Sequence, residues 1–402
     1  MTQETRYNAQ KRILEEEIRK QYAELQKHRP NILVVGRTGV GKSTLINAIL
    51  GEKLAATGAG KPITQSYAIY EHPLVNMIDS KGWEGGAEGD QGFREDTKRL
   101  LQQKRTTNPD DHIHIVWYVI AASDARFQEY DAQLVREAFG GIPVLFVLTK
   151  CDTARDADIA QVERVITDAT RVMAQQATKN TPAPRIVGVI RTAADPLPIL
   201  GKEPWGVKEV VEATLNELSD LYRDAFDAAQ AVDFSRKAAK AQAVIAAAAA
   251  AAGGIGLVPI PFSDSALLSP LQIGMVSSIA IVYGFGADPG SLTALISGSM
   301  VPLVAESAGV TLAGNLIKLF PGAGTIVGGM IDGAVAASIT ATIGYAFQRV
   351  FHQLALMKAK GQQSVSADAA AAFLKQALPQ ALQEVRRRGL GNFLPGGNDK
   401  DQ

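Results

Sequence analysis

The sequence predicts an α/β domain of three layers, built on a mixed, mostly parallel six-stranded sheet and followed by an all-α domain rich in alanine and glycine. Short apolar runs alternate with helical stretches from Asn31 to about residue 230, which is typical of a sheet covered on both faces. The length of 402 residues exceeds what one core usually supports. Charge then almost disappears, because residues 241–348 contain only Asp264, Asp288, Glu306, Lys318 and Asp332.

These patterns divide the chain into four parts: a charged N-terminal helix in residues 1–29, the α/β domain in 30–230, an apolar helical domain in 231–360, and a helix with a disordered tail in 361–402. In the first helix, the spacing of Leu14, Ile18, Tyr22 and Leu25 predicts a narrow apolar stripe. This stripe would pack on a neighbouring domain or bind a partner helix.

Six strands are predicted, at residues 32–35, 67–70, 74–78, 113–120, 144–148 and 186–190. Helices are predicted at residues 42–50, 93–103, 129–139, 157–177 and 207–230. The gap between the second and third strands is too short for a crossover helix, so these two strands should form an antiparallel hairpin.

Composition limits the classes of partner and compartment. The 41 basic residues balance 41 acidic residues, so no net charge attracts the chain to nucleic acid. The single cysteine, Cys151, excludes an internal disulfide framework and fits a reducing compartment. The charged first 29 residues lack the apolar core of a secretory signal. We therefore expect a cytoplasmic location.

The strongest motif runs from Gly36 to Ser43 and reads Gly-x-x-x-x-Gly-Lys-Ser between an apolar strand and a helix. Glycines allow backbone N–H groups to surround phosphate oxygens, and the helix N-terminus adds positive potential. Lys42 would reach the terminal phosphates, and the Ser43 hydroxyl would bind Mg²⁺. The predicted nucleotide contacts of this segment are Gly36, Arg37, Thr38, Gly39, Val40, Gly41, Lys42, Ser43 and Thr44.

A second motif, Thr149-Lys150-Cys151-Asp152, ends the apolar strand at 144–148 and resembles the Asn/Thr-Lys-x-Asp signature of GTPases. The Asp152 carboxylate would accept hydrogen bonds from guanine N1 and the exocyclic amine, which adenine lacks. Lys150 would lay its aliphatic stem along the base. This motif therefore predicts a guanine nucleotide.

The third motif, Asp79-Ser-Lys-Gly82, also ends an apolar strand and resembles the Asp-x-x-Gly switch of the same proteins. Asp79 would hold Mg²⁺ through water, and the Gly82 N–H would contact the γ-phosphate. In the GTPases that these motifs resemble, a threonine closes over Mg²⁺ at the position of Thr64, twenty-two residues after Lys42, and this resemblance implies that role for Thr64, with Thr57 as the alternative. Ser43, Thr64 and Asp79 form the predicted metal site.

The motifs together resemble the Era-like branch of the translation-factor-class P-loop GTPases, over residues 30–225. The resemblance implies bound GTP or GDP, Mg²⁺, hydrolysis of GTP, and catalytic roles for Lys42, Thr64 and Gly82. It also implies that Thr192-Ala193 caps the guanine, with the Ala193 N–H directed at O6. The segment at 240–355 resembles the YcjF-like membrane proteins of unknown function.

Two residues differ from the motifs of that family, and both bear on the rate of GTP hydrolysis. Trp83 follows Gly82 where Ras-like enzymes carry the glutamine that orients water, so intrinsic hydrolysis should be slow. Gly39 replaces the asparagine that holds an activating K⁺ in some relatives. Two functions therefore stay open: a GTP-hydrolysing switch coupled to a membrane-associated helical domain, or a soluble GTP sensor with negligible turnover whose helical domain docks a protein partner.

Three further residues could have a chemical role, and one of them, Arg126, has two interpretations. Arg126 would act on a second GTPase domain as an arginine finger, or it is a surface arginine. A dimer of such domains or an activating protein is therefore a candidate partner. His112 and His114 flank a predicted strand, have no identifiable chemical partner, and are interpreted as structural.

The uncharged runs at 241–263 and 265–287 are long enough to cross a bilayer as helices. Gly-x-x-x-Gly pairs at 324–328 and 329–333 would allow close helix contact in lipid. Basic residues flank the region and would place both ends on the cytosolic side: Arg236, Lys237 and Lys240 before it, and Arg349, Lys358 and Lys360 after it.

Two prolines oppose insertion, because Pro259 and Pro261 would break a continuous helix. A tightly packed soluble helical domain is the alternative. Membrane association through residues 241–348 is the expectation. Beyond it, residues 366–388 predict an amphipathic helix interrupted near Pro379, in which Arg386, Arg387 and Arg388 end a solvated turn or contact lipid phosphate.

Overall fold

The computed structural model describes residues 3–51, 61–62, 64, 66–82, 87–105, 108–124, 127–178, 182–254, 258–259, 268–305, 330–331, 333–362 and 366–388. The chain divides into two compact units. One comprises residues 25–233, and the other comprises residues 1–24 together with 234–402.

A seven-stranded sheet forms the centre of the unit at residues 25–233. Its strands are β1 (Asn31–Val35), β2 (Lys61–Pro62), β3 (Tyr67–His72), β4 (Val75–Ser80), β5 (Ile113–Ala121), β6 (Pro143–Thr149) and β7 (Arg185–Arg191). The spatial order is β2-β3-β4-β1-β5-β6-β7. Strand β3 is antiparallel to β2 and β4, and the other neighbours are parallel. The predicted mixed, mostly parallel sheet and its hairpin are confirmed, and the two-residue β2 adds an edge strand.

The central strands carry no solvent-facing side because helices cover both faces of the sheet. All five residues of β1 are buried. In β5 every residue except His114 is buried, and Trp117 is completely enclosed. Continuous apolar runs of this kind are expected for a parallel sheet that is buried on both faces. This burial fixes the strand ends, from which the site residues project.

Helices α2 (Lys42–Leu50), α3 (Ala87–Lys104), α4 (Glu129–Ala138) and α5 (Asp156–Gln175) follow the strands as predicted. Helix α3 begins six residues earlier than the predicted residue 93. Arg126 and Trp83 lie outside the described residues.

The helix predicted at 207–230 is two helices, α6 (Val207–Glu217) and α7 (Asp220–Ala229). The break occurs because Leu218 adopts an extended conformation with ψ 136°. The Arg223 guanidinium stabilises it by donating from Nε to the Leu215 carbonyl at 2.9 Å and from Nη2 to the Leu218 carbonyl at 2.8 Å. These carbonyls would otherwise lack partners at a helix end.

The other unit is mainly helical. It contains α1 (Gln3–Lys27, as far as residue 24), α8 (Phe234–Gly254), α9 (Pro270–Val282), α10 (Pro289–Ala305), α11 (Gly333–Ala359) and α12 (Ala367–Arg388), and a short antiparallel pairing of Val258–Pro259 with Met330–Ile331. Leu14 and Ile18 are buried in the same core as α8 to α12. These two residues of the apolar stripe therefore pack within this unit.

The structure differs from several of the expectations for the apolar region and the helix that follows it. Among the described residues, no helix combines the length and hydropathy that crossing a bilayer requires. Lys237, one of the predicted basic flanks, is 1% exposed and donates to the Val282 carbonyl at 2.7 Å. Helix α12 continues through Pro379 without the predicted interruption. Residues 306–329, including the first predicted Gly-x-x-x-Gly pair, and residues 389–402 lie outside the described residues.

Candidate functional site

The site lies at the carboxyl ends of the parallel strands, where crevices of α/β sheets usually bind ligands. Strand β1 leads into the loop at 36–41, β4 ends at Ser80, β6 leads to Lys150 and β7 to Thr192. The structure therefore brings the phosphate, switch and guanine motifs predicted from the sequence to one edge of the sheet.

Glycine is required at two points of the phosphate loop. Gly41 has φ 96° and precedes the first residue of α2, a conformation that side chains with a Cβ rarely adopt. A Cβ added to Gly36 would lie 2.4 Å from the Val119 carbonyl oxygen. The loop is therefore held close to β5, and N–H groups at the start of α2 face the place where an anion binds.

Lys42 folds back over this loop. Its Nζ donates to the carbonyls of Gly36 at 2.9 Å and Arg37 at 3.0 Å. Burial lowers the pKa of the Lys42 ammonium, while the Asp79 carboxylate opposes the shift. A buried cation held by two carbonyls is poised to exchange them for phosphate oxygens.

The Asp79 carboxylate fits a divalent cation. Burial raises its pKa to about 6, against the opposing influence of Lys42 and of a hydrogen bond from Ser43. Its Oδ1 is buried without a hydrogen-bond partner in the described part of the chain. An unpaired buried carboxylate oxygen beside a serine hydroxyl is an oxygen donor set of the kind that Mg²⁺ prefers.

Thr64, the third predicted metal ligand, has a different contact in this arrangement. Its Oγ1 accepts hydrogen bonds from the backbone N–H groups of Ser66 at 3.2 Å and Tyr67 at 3.1 Å. The Ser66 N–H also donates to Asp96 Oδ2 of α3 at 3.1 Å. The Thr64 hydroxyl thus caps its own turn, and Thr57 lies outside the described residues.

Gly82 lies directly against the phosphate loop. Its φ is 79°, and an added Cβ would stand 2.7 Å from both the backbone nitrogen and the Oγ1 of Thr38. The side chains of Thr38 and Thr44 are exposed. The backbone of the switch motif therefore reaches the loop that is predicted to hold the γ-phosphate, and the contact of the Gly82 N–H with that phosphate stays a prediction.

The guanine motif is tied to the same loop. Thr149 Oγ1 donates to the Val40 carbonyl, and Lys150 Nζ donates to the Gly39 carbonyl at 2.7 Å. Asp152 is half-buried, and its Oδ2 accepts a hydrogen bond from the Leu197 N–H at 3.1 Å. The carboxylate is therefore oriented by the loop that follows β7.

The contact from Ala193 to guanine O6 stays a prediction, and the Ala193 N–H has another partner in this structure. The Ala193 N–H donates to the Trp205 carbonyl at 3.0 Å, and Thr192 Oγ1 donates to the Leu148 carbonyl at 3.0 Å. Both residues thus anchor the loop. The N–H of the next residue, Ala194, has no hydrogen bond in the described part of the chain.

One contact set was missed from the sequence. Arg37 Nη2 donates to Gln128 Oε1 at 2.8 Å and lies 3.7 Å from Asp131 Oδ2. Tyr118 donates to Asp131 Oδ1 at 2.6 Å. This network fixes the phosphate loop to the start of α4, and only the position of Arg37 inside the loop motif could have signalled it.

His114 is structural, as interpreted. Its Nδ1 accepts a hydrogen bond from the Asn31 N–H at 3.0 Å, and burial lowers its pKa to about 4. Its ring also packs on Tyr222, with centroids 3.9 Å apart. His114 therefore stabilises the start of β1 as a neutral imidazole.

Two protein families match separate parts of the chain. Residues 31–150 match the family described as 50S ribosome-binding GTPase. Residues 223–377 match a domain of unknown function, DUF697. The predicted GTPase class and the predicted relationship of the C-terminal part are both confirmed, whereas assignment to the Era-like branch stays a prediction.

Relatives among characterised proteins are similar over the GTPase part. The probable GTP-binding protein EngB of Aquifex aeolicus is 29% identical over 154 residues, which cover 36% of this chain and 80% of that protein. The tRNA modification GTPase MnmE of Natranaerobius thermophilus is 30% identical, over 35% of this chain and 29% of that protein. GTPase Der of Mycolicibacterium vanbaalenii is 32% identical, over 33% of this chain and 27% of that protein. The chain thus spans less than a third of the latter two proteins.

Proposed function

Because the chain is a P-loop GTPase with a DUF697 domain on its C-terminal side, we propose that it hydrolyses GTP to GDP and phosphate as a switch coupled to its helical domain. One observation carries the proposal: beside Lys42 and Ser43, Asp79 presents a buried carboxylate oxygen that has no hydrogen-bond partner among the described residues. Such an oxygen is costly unless a cation or proton satisfies it. A nucleotide with Mg²⁺ supplies that cation.

Each residue has a defined task in this proposal. Ser43 and Asp79 hold Mg²⁺, which when bound neutralises charge on the β- and γ-phosphates. Lys42 leaves the carbonyls of Gly36 and Arg37 and binds the same phosphates. Asp152 selects guanine, and Lys150 covers the base. The Gly82 N–H contacts the γ-phosphate next to Thr38.

Thr64 makes the site a switch. In the arrangement described here its hydroxyl accepts hydrogen bonds from Ser66 and Tyr67. To reach Mg²⁺ it must give up these bonds, and the γ-phosphate of GTP supplies the compensating contacts that GDP lacks. Loss of phosphate would return Thr64 to its turn.

The test is phosphate release from GTP, with and without Mg²⁺, for the full chain and for Asp79→Asn. Asp124→Asn, an exposed carboxylate after β5, is the matched control. We expect slow Mg²⁺-dependent release that Asp79→Asn reduces by at least about 10-fold, since a charged ligand of the metal becomes neutral. Equal rates for Asp79→Asn and the parent would contradict the proposal.

A second function is favoured by one sequence feature. Trp83 follows Gly82 and cannot orient water as a glutamine does. On that basis the chain would be a soluble GTP sensor with negligible turnover, whose helical domain docks a protein partner. Absence of phosphate release at high protein concentration, and with liposomes present, would favour the sensor. Release that rises with protein concentration would favour a GTPase-domain dimer.

We also propose that residues 241–348 associate with the cytosolic face of a membrane. Support comes from the composition, with five charged side chains in 108 residues. Flotation of the full chain with liposomes tests this part separately from hydrolysis. Recovery of the whole protein at the bottom of the gradient, as a monodisperse species, would contradict it.

A further inference from the structure

A cavity of about 610 Å³ lies within the helical unit, far in sequence from the nucleotide motifs. Helices α11 and α12 form two of its walls, and residues of α8 and the end of α9 complete the lining. Each of the two main helices contributes side chains spaced four residues apart: Tyr345, Arg349 and Gln353 from α11, and Gln380, Glu384 and Arg388 from α12. Side chains at this spacing share one face of a helix, so the cavity is a groove between two polar faces.

The lining has many polar groups that the protein does not use. Arg349 and four glutamines of the lining form no side-chain hydrogen bond or ion pair in the described part of the chain: Gln242, Gln353, Gln376 and Gln380. Gln348 alone among the glutamines has a partner, the Ala238 carbonyl at 3.2 Å. Amide groups offer both donors and acceptors. The groove can therefore form several hydrogen bonds with a polar ligand at once.

The charge of the lining is positive. Among the described residues that line the cavity, Glu384 is the only acid. It already accepts hydrogen bonds from Arg387 at 3.0 Å and from Arg388 at 2.7 Å. Arg349 is exposed and has no acidic partner in the described residues. An anion is the ligand that this arrangement attracts.

Aromatic side chains give the groove its shape. The Arg388 guanidinium lies 5.2 Å from the centroid of the Tyr345 ring, which holds its planar fork in place. Arg349 is one turn along α11 from Tyr345. Tyr283 and His352 meet edge to face with centroids 5.7 Å apart. Arg388 therefore lies over the Tyr345 ring, and Arg349 lines the same groove one helical turn from that tyrosine.

We propose that this groove binds a small phosphate ester, with Arg349 and Arg388 on the phosphate and the glutamine amides on the hydroxyl or ester oxygens of the organic part. Guanidinium forks match the geometry of phosphate oxygens. The volume lies within the range of small-molecule sites and exceeds that of an inorganic anion. The phosphate ester is either free in solution or the headgroup of an anionic lipid, and both have the same chemistry.

The experiment uses the full chain saturated with GDP and Mg²⁺, so that the nucleotide site takes no further phosphate. Calorimetric titration with glycerol 3-phosphate tests the free ester. Flotation with phosphatidylglycerol vesicles, against phosphatidylcholine vesicles, tests the headgroup. Binding in either arm supports the proposal and identifies the source. The proposal would be overturned if glycerol 3-phosphate at millimolar concentration gave no heat and the protein also showed no selective flotation with phosphatidylglycerol vesicles.

Two variants locate the binding. Arg349→Gln removes an exposed arginine without an ion pair, so the fold should persist, and it should weaken binding by about 10-fold or more. Gln353→Glu places an acid four residues from Arg349, where it pairs with that arginine, and should weaken binding similarly. Circular dichroism and the midpoint of thermal unfolding check that both variants fold.

The matched controls lie outside the lining on α12. Arg386→Gln removes the same charge and Gln383→Glu adds the same acid, at neighbouring positions that do not line the cavity. Both should bind like the parent. If Arg386→Gln weakens binding as much as Arg349→Gln does, the effect is one of net charge and the groove is not the site. GTP hydrolysis should be unchanged in all four variants, so failure here is distinct from failure of the GTPase proposal.

Discussion

Lys150 Nζ donates to the carbonyl of Gly39 at 2.7 Å. This bond joins the end of β6, which carries the guanine motif, to the loop that cradles phosphate. Lys150 itself has φ 55°, the only non-glycine residue with positive φ in the described part of the chain. The backbone at Lys150 is strained, and the side-chain bond to Gly39 holds it in place. This bond therefore fixes the position of the guanine motif relative to the phosphate loop.

Replacing Lys150 by alanine should therefore weaken the binding of both the base and the phosphates of the nucleotide. The lost charged hydrogen bond and the lost cover over the base should raise the Kd for GDP by about 10- to 100-fold. Titration with a fluorescent GDP analogue measures it. Lys202→Ala, an exposed lysine in the loop after β7, is the control. An unchanged Kd in Lys150→Ala would show that the bond to Gly39 does not support binding.

Gly82→Ala should block the switch through a steric clash with Thr38. Gly141→Ala is a matched control, because Gly141 has φ 78° like the 79° of Gly82 but no atom within 4 Å of an added Cβ. Both variants should lose about 1–2 kcal/mol of unfolding free energy in urea from the left-handed conformation. Only Gly82→Ala should also lose GTP turnover. Equal GTP turnover in the two variants would show that hydrolysis does not depend on the close approach of Gly82 to Thr38.

Asp96 is a positioning residue for the segment that contains Thr64. Because Asp96 Oδ2 accepts the Ser66 N–H, it stabilises the arrangement in which Thr64 is turned away from the metal site. Asp96→Ala should therefore raise the affinity for a non-hydrolysable GTP analogue relative to GDP by about 5-fold. Arg99→Ala removes the other partner of Asp96, at 3.3 Å, and should leave the ratio unchanged. A lower ratio in Asp96→Ala would mean that the bond supports the GTP state.

Motif spacing predicted the main parts of the site because the backbone carries most of its chemistry. Gly36, Gly41 and Gly82 stand where a Cβ or a negative φ would not fit, and such positions limit the residue type strongly. The strands were predicted for a similar reason, since burial on both faces demands continuous apolar runs. Local sequence and tertiary context agree at these positions.

Other contacts depend on residues that are distant along the chain, so the local sequence did not predict them. The Ala193 N–H pairs with the Trp205 carbonyl, twelve residues away along the chain, and the turn motif alone gave no sign of this pairing. The break at Leu218 depends on Arg223 reaching back to two carbonyls. Lys237 looked like a surface cation, but its amine satisfies a carbonyl inside the helical unit.

Acid should destabilise the unit at residues 25–233 through His114. Burial lowers the pKa of His114 from 6.5 to about 4, so between these values the unfolded chain binds a proton that the folded chain excludes. The free energy of unfolding should fall by about 1–3 kcal/mol as the pH drops from 6.5 to 4. Urea titrations across this range measure the slope. His114→Asn should flatten it, whereas His112→Asn should not, and an unchanged slope in His114→Asn would assign the loss to other groups.

Asp152→Asn should change which base the site prefers. The carboxylate accepts from guanine N1 and the exocyclic amine, whereas an amide can present a donor to the C2 carbonyl of xanthine. Asparagine keeps one oxygen for the Leu197 N–H that now donates at 3.1 Å, so the loop should hold its position. The Kd for GDP should rise by about 100-fold and that for xanthosine diphosphate should fall, as charged hydrogen bonds imply. Competition between the two nucleotides measures the ratio, with Asp156→Asn in the first turn of α5 as the control. If Asp152→Asn still prefers guanine as strongly as the parent, the base must be read by another group, and the free N–H at Ala194 would be the first to test.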